Sequence, residues 1–360
     1  MTSKKGISEM LTGEFVNATL LKVRLVLHSY ITQALVLFDQ YKIFIRERDK
    51  MKKILSLFCA ILMTTMIFAG CSSSKNAEKE EATVRTISTV KGDIEVPANP
   101  KRVIANWYVG DVITLGLNLV GYNAWEQESM PFYDTLKAST KIEKWEPEDV
   151  MNLEPDLIVT YDEADFDKFS KIAPVLVIPE GDMNSLERIK TIGEATGRKA
   201  EAEKAVSNFE EKLADAKKTF KANTFEGKTF SILEDWGATG EWSGLYYETG
   251  SRGGTLVYEY LGLKYPDKLK ELIEKSGEGR GSISYEVAHE YFGDYILWFK
   301  QEGKESDYAK TEIWKSIPAV AEGRVVEIPG HYAGLFFYSD VTSLTEQLDY
   351  MVNAINSLAK

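Results

Sequence analysis

Arg252 sits in Gly250-Ser251-Arg252-Gly253-Gly254, where small residues leave the backbone open around one guanidinium. Glycines let a ligand approach the chain closely, and the helical pattern that follows would aim backbone amides at the same place. A guanidinium there can grip a ligand oxygen with two parallel hydrogen bonds. The other unusual inventory is aromatic. Trp107, Tyr108, Trp125, Tyr161, Trp236, Trp242, Tyr246, Tyr332, Phe336 and Tyr338 fall at strand ends or in glycine-rich loops, places that line crevices. His331 stands among Gly330, Tyr332 and Gly334 and is taken with them. Together these residues predict a wide aromatic cleft whose loops offer one clear cation, Arg252.

Groups for catalysis are scarce. Beyond Cys71 the chain has no cysteine and only two histidines, His289 and His331. It lacks a Gly-Xaa-Ser-Xaa-Gly elbow, a phosphate-binding loop and a His-Glu-Xaa-Xaa-His zinc motif. No catalytic residue, cofactor or protein-bound metal is therefore expected. The rival reading is an exported enzyme acting on a chelate or a glycan, which would need paired acidic residues in the cleft.

The elements that must carry these loops are marked by an internal echo. Glu148-Asp149-Val150 leads through Leu153-Glu154-Pro155 into Asp156-Leu157-Ile158-Val159, and Glu286-Val287-Ala288 leads through Tyr291-Phe292-Gly293 into Asp294-Tyr295-Ile296-Leu297. Leu115-Gly116-Leu117 and Leu261-Gly262-Leu263 form a second pair. Each copy of the first echo reads as helix, turn and buried strand. Further strands are expected over 102–105, 119–122, 156–160 and 175–178, then over 229–233, 295–299 and 324–328; helices are expected over 254–261, 283–291 and 343–358. Ser185 opens a long helical stretch without a capping box, because Arg188 stands where Glu or Gln is needed, and Gly197 divides that stretch. From Lys199 to Phe220, Ala202, Ala205, Val206, Phe209, Leu213, Ala216 and Phe220 keep helical spacing. The fold class predicted is α/β: two Rossmann-like lobes with parallel-rich sheets (85–198 and 223–360) joined by one long rigid helix (199–222).

The N-terminal part has a different character. Met51-Lys52-Lys53, the apolar run from Ile54 to Phe68 and then Ala69-Gly70-Cys71 have the anatomy of an export leader over 51–70, with lipidation expected at Cys71. Residues 71–84 read as a disordered tether and 1–50 as an upstream extension from an overcalled start. The full chain carries a net charge of −12, and 1–70 hold more basic than acidic residues, so the exported part is more acidic still. That excludes nucleic acid and anionic membrane surfaces as main partners; a membrane association would come from the lipid anchor.

Pro100-Lys101-Arg102-Val103-Ile104, Leu153-Glu154-Pro155-Asp156-Leu157-Ile158, Lys171-Ile172-Ala173-Pro174 and Arg252-Gly253-Gly254 give the chain, over about 84–360, a resemblance to the iron–siderophore-binding lipoproteins of bacterial ABC importers, a class that includes cobalamin-binding proteins. The resemblance implies a class III periplasmic-binding-protein fold, a monomer on the outer face of the cell membrane, and no enzyme activity. It implies that Glu148 and Glu286 dock the two permease subunits and that Arg252 holds ligand. A siderophore wraps its iron, so no protein ligand on the metal is implied. Three hydroxamates neutralise ferric iron whereas three catecholates leave a strongly anionic complex, so one cation among aromatics fits a ferric hydroxamate better. A haem or cobalamin carrier of the same class, with His331 or a tyrosine on the metal, is the alternative.

Overall fold

The computed structural model describes residues 84–240 and 242–359; the expected extension, leader, Cys71 and most of the tether lie outside the described residues. The described chain opens with an antiparallel hairpin, β1 (Val84–Thr89) and β2 (Gly92–Pro97). β3 (Val103–Asn106), β4 (Leu119–Asn123), β5 (Thr140–Lys141), β6 (Leu157–Thr160) and β7 (Val175–Val177) then build a parallel sheet in the order β5-β4-β3-β6-β7. β8 (Phe230–Asp235), β9 (Leu245–Glu248), β10 (Arg280–Ile283), β11 (Tyr295–Phe299) and β12 (Val325–Ile328) form the second, in the order β10-β9-β8-β11-β12. β3, β6, β8 and β11 are buried along their whole length. Strands covered on both faces read as unbroken apolar runs, which is how the sequence betrays them.

The second sheet departs from expectation in two places. β9, inside what reads as loop, runs antiparallel to both neighbours and makes the sheet mixed. No long helix covers 283–291: Ile283 ends β10 and only Ala288–Tyr291 makes a 3-10 turn. Ser282 and Ser284 are exposed and Ile283 is buried between them, the two-residue period of a strand, and that period prevails here over helical spacing. The 254–261 segment is helical but wider than an α-helix, with a π-helical stretch at Thr255–Tyr260.

The two echoed aspartates do the same work. Asp156 accepts hydrogen bonds from the amides of Lys101 and Arg102 at 2.6 and 2.8 Å, fastening the chain that enters β3 to the chain that enters β6. Asp294 accepts the Thr229 amide at 2.9 Å and the Thr229 hydroxyl at 3.2 Å, fastening the approach to β8 to the start of β11. Each carboxylate sets the register of a central parallel pair, so the sequence echo is a structural repeat at these positions.

Between the sheets runs the helix Lys199–Thr219, its Ala202, Val206, Phe209 and Ala216 buried and its Leu213 half-buried. The helix before it, Ser185–Thr196, does carry a capping box, one residue earlier than expected. Asn184 accepts from the Leu186 and Glu187 amides, and Glu187 accepts from the Asn184 amide. Gly197 ends it in the left-handed conformation. The C-terminal helix Val341–Asn356 packs along the long one; Asn356 accepts from the Lys221 amide and donates to the Thr219 carbonyl. Its other end meets the first lobe. Thr342 and Thr114 share a 2.6 Å hydrogen bond, and a Cβ on Gly110 would come within 2.3 Å of the Asp340 carboxyl carbon, so any larger residue there would have to displace that carboxylate. The single connecting helix is thus reinforced by contacts of the C-terminal helix with the first lobe.

Replacing either staple with alanine should cost about 1–2 kcal/mol, below the range for fully buried charged hydrogen bonds because both carboxylates are partly solvated. Burial pushes the Asp294 carboxyl up, but the Thr229 donors and the Lys228 charge outweigh it and hold it below the usual 3.8. A depressed carboxyl adds stability that is complete above the usual value and drains away as pH falls through the lower one. Urea melts should show the gap between wild type and Asp294→Ala narrowing in acid; a gap that widens there contradicts the assignment.

Candidate ligand-binding cleft

Residues just past the carboxyl ends of β3, β4 and β7 face residues just past the ends of β8, β11 and β12 across a cleft of about 1090 Å3. That is where parallel α/β sheets present ligand sites, and the volume lies at the upper end for small-molecule pockets. Trp107, Tyr108, Trp125, Trp236, Trp242, Arg252 and Tyr338 of the expected set line it. Trp107 and Arg252 do so with φ of 68° and 55°. A bulky residue in the left-handed region is strained, and here the strain sits where two ligand-facing side chains must be aimed. Gly254 follows because a Cβ there would lie 2.3 Å from the Thr249 carbonyl carbon.

Five expected residues sit elsewhere. Phe336 is fully buried in the core against Phe299 and Tyr350. Its neighbour Phe337 faces the cleft instead, stacked on Trp125 at 4.2 Å and edge-on to Trp107 at 5.6 Å. Successive turns in this loop send adjacent side chains opposite ways, which composition alone does not reveal. Tyr161 stands behind Trp107 and Tyr108. Tyr246 is a β9 residue beneath Trp236 and Trp242. His331 is exposed beside Tyr332, which packs on Tyr350, and neither lines the cleft. His331 is thus not placed to ligate a metal there. Among the described residues no group of three or more His, Cys, Asp or Glu could hold a metal ion. Glu148 lies exposed in the first turn of the helix Pro147–Met151 and Glu286 exposed in the turn after β10, both away from the cleft.

Arg252 is not the single cation. Arg188, Arg280, Lys300 and Lys304 also line the cleft, facing Asp111, Glu180, Glu234, Glu248, Glu278, Glu302 and Asp340. Seven carboxylates against five cations leave the cleft formally negative. These groups come from loops and strand ends that touch only in the fold; Arg188, for one, appears in the sequence merely as a failed capping residue. Arg252 and Glu234 are each 4% exposed and form an ion pair, with Nε and Nη2 donating to one carboxylate oxygen at 3.0 and 2.8 Å. The guanidinium lies 5.0 Å from the Phe337 ring centre. Its Nη1 is buried without a partner among the described residues, as is Nε1 of Trp236. Arg280 donates to Glu248 at 2.7 Å and lies 4.4 Å from the centre of the Tyr246 ring. Burial holds the Glu248 carboxyl above the usual range although Arg252 and Arg280 pull it down.

A two-lobed α/β scaffold with a ligand cleft between two sheets is the architecture of a solute-binding protein. The chain belongs to the periplasmic binding protein family, whose model matches residues 117–332. It is 32% identical over 320 residues to the iron(3+)-hydroxamate-binding protein YxeB of Bacillus subtilis, a match covering 85% of this chain and 97% of that one. FhuD of B. subtilis, also named as an iron(3+)-hydroxamate-binding protein, is 30% identical over 324 residues, covering 84% and 98%. The structure is similar to that of FhuD2 from Staphylococcus aureus with bound ferrioxamine B, with a TM-score of 0.60 and 26% identity over 72% of this chain and 100% of that one.

The buried pair gives Arg252 a second role, in stability, beside the ligand-facing one. Arg252→Ala should destabilise the protein by about 3–5 kcal/mol, because it leaves Glu234 buried and charged. Arg252→Ala with Glu234→Gln should recover most of that loss in chemical denaturation. A single variant as stable as wild type contradicts the pair.

Proposed function

We propose that this chain captures a ferric hydroxamate siderophore in the aromatic cleft and hands it to an ABC permease, held at the outer face of the cell membrane by lipid on Cys71. The observation that carries the reading is the pair of buried, unmatched donors, Arg252 Nη1 and Trp236 Nε1, in an aromatic wall of a formally negative cleft. Acceptor oxygens of a bound ligand would satisfy both donors. Hydroxamate oxygens supply them without bringing net negative charge, since three hydroxamates neutralise ferric iron. A tricatecholate complex would set its negative charge against seven carboxylates, which outnumber the five cations of the cleft. The names of the relatives support the same ligand class.

Tryptophan side chains on both walls make the test direct. Quenching should saturate at one ferric trihydroxamate per protein, and a ferric tricatecholate should quench far more weakly. Tighter binding of the tricatecholate overturns the ligand class.

Glu148 and Glu286 support docking because each lies exposed ahead of an aspartate staple, one in each lobe. An arginine on each permease subunit would complete the pair, setting register more than affinity. Glu148→Lys with Glu286→Lys should leave chelate affinity and folding intact and sharply reduce iron uptake by cells, each single reversal being milder. Normal uptake by the double variant overturns the docking role.

A further inference from the structure

The unmatched polar atoms of the cleft are sorted by lobe. Arg252 Nη1 and Trp236 Nε1, both donors, belong to the second. The first contributes an acceptor. Asp111, 1% exposed, enters the helix Val109–Thr114 directly after Trp107 and Tyr108 and lines the cleft. Its Oδ2 accepts from Arg188 Nε at 2.9 Å, whereas its Oδ1 has no hydrogen-bond partner among the described residues.

Among the described residues no neighbour supplies the missing donor. Arg188 is already engaged on Oδ2, with its guanidinium 4.6 Å from the Tyr108 ring centre. The next charged group is another carboxylate, Asp340, which Gly110 admits to close range. Its own oxygens accept the Ser343 amide at 3.0 Å and the Ser343 hydroxyl at 2.6 Å, so it adds negative charge and no donor. Burial, with help from Asp340, pushes the Asp111 carboxyl up to about 6 against the pull of Arg188. This corner of the cleft lacks one positive charge. A buried carboxylate with an unmatched oxygen is costly, and a ligand cation placed there relieves the cost as it binds.

We infer that Asp111 is a specificity-determining residue that receives a protonated amine on the chelate. The cleft then selects bipolar ligands, with hydroxamate oxygens toward Arg252 and Trp236 and an ammonium arm toward Asp111, over neutral chelates of the same shape. The inference rests on the hydroxamate reading above and names the form of ligand within that class.

Ferrioxamine B, whose free amine is protonated at neutral pH, and its N-acetylated derivative share the same iron centre and differ at the arm. Calorimetric titration of wild type should show the amine form binding about tenfold tighter or more, the scale of one charge-assisted hydrogen bond. Asp111→Asn should abolish the difference in affinity between the amine form and the acetylated one. Equal affinities in wild type overturn the inference and leave Asp111 as a structural partner of Arg188; that comparison needs no variant and survives a misfolded one. A preference that persists in Asp111→Asn overturns it too. Failure of wild type to bind either chelate would instead remove the hydroxamate reading on which it stands.

Discussion

Arg252 and Glu234 take two opposite charges out of water together, and the second wall of the cleft is organised around that pair. Neither charge is tolerable alone at 4% exposure, so each fixes the other. Glu234 comes from the carboxyl end of β8 and Arg252 from a loop whose backbone is forced into the left-handed region, which locks the loop against the sheet. One arginine nitrogen, Nη1, is left without a partner among the described residues. The ion pair thus acts as a rigid mount for a hydrogen-bond donor, and Asp235, next in the chain, steadies the adjoining Trp236 loop. Its carboxylate accepts from the Gly237 amide, the Tyr285 and Ser306 hydroxyls and the Tyr308 amide.

Such a mount serves binding only if the opposite wall stays within reach. The long helix and the C-terminal helix lie side by side between the sheets, joined by Asn356 at one end and reaching the first lobe through Thr342 and Asp340 at the other. Aromatic contacts continue the connection over the cleft, from Trp107 and Trp125 to Phe337, and Tyr338 donates to the Trp125 carbonyl at 2.8 Å. A scaffold braced this way resists the large hinge closures that flexible strand connections allow. Selectivity must then come from a largely preformed surface: where donors, acceptors and rings already stand.

Much of this was legible in the sequence where local rules and the fold agree. Strands buried on both faces declare themselves as apolar runs, and the long helix declares itself by its stripe. The echoed aspartates mark the same staple twice. The misses have physical causes. β9 and β10 are short and serine-, glycine- or tyrosine-rich, and pairing partners distant in sequence decide their conformation. Phe336 and Phe337 are adjacent and equally apolar, so composition cannot say which one faces the cleft. The charged groups of the cleft are the hardest to foresee: Arg188, Arg280, Glu234 and Asp111 come from four separate segments, and each alone resembles an ordinary surface charge. Burial turns them into paired or unmatched groups, and burial is a property of the fold.

The central claim is that a ferric hydroxamate chelate satisfies the donors the protein leaves unmatched. A crystal structure of the complex with a ferric trihydroxamate tests it most directly. It should place the iron between the two sheets, with chelate oxygens about 2.7–3.2 Å from Arg252 Nη1 and Trp236 Nε1 and with no protein atom on the metal. A chelate seated elsewhere, both nitrogens still without acceptors, or a protein side chain coordinating the iron would contradict it.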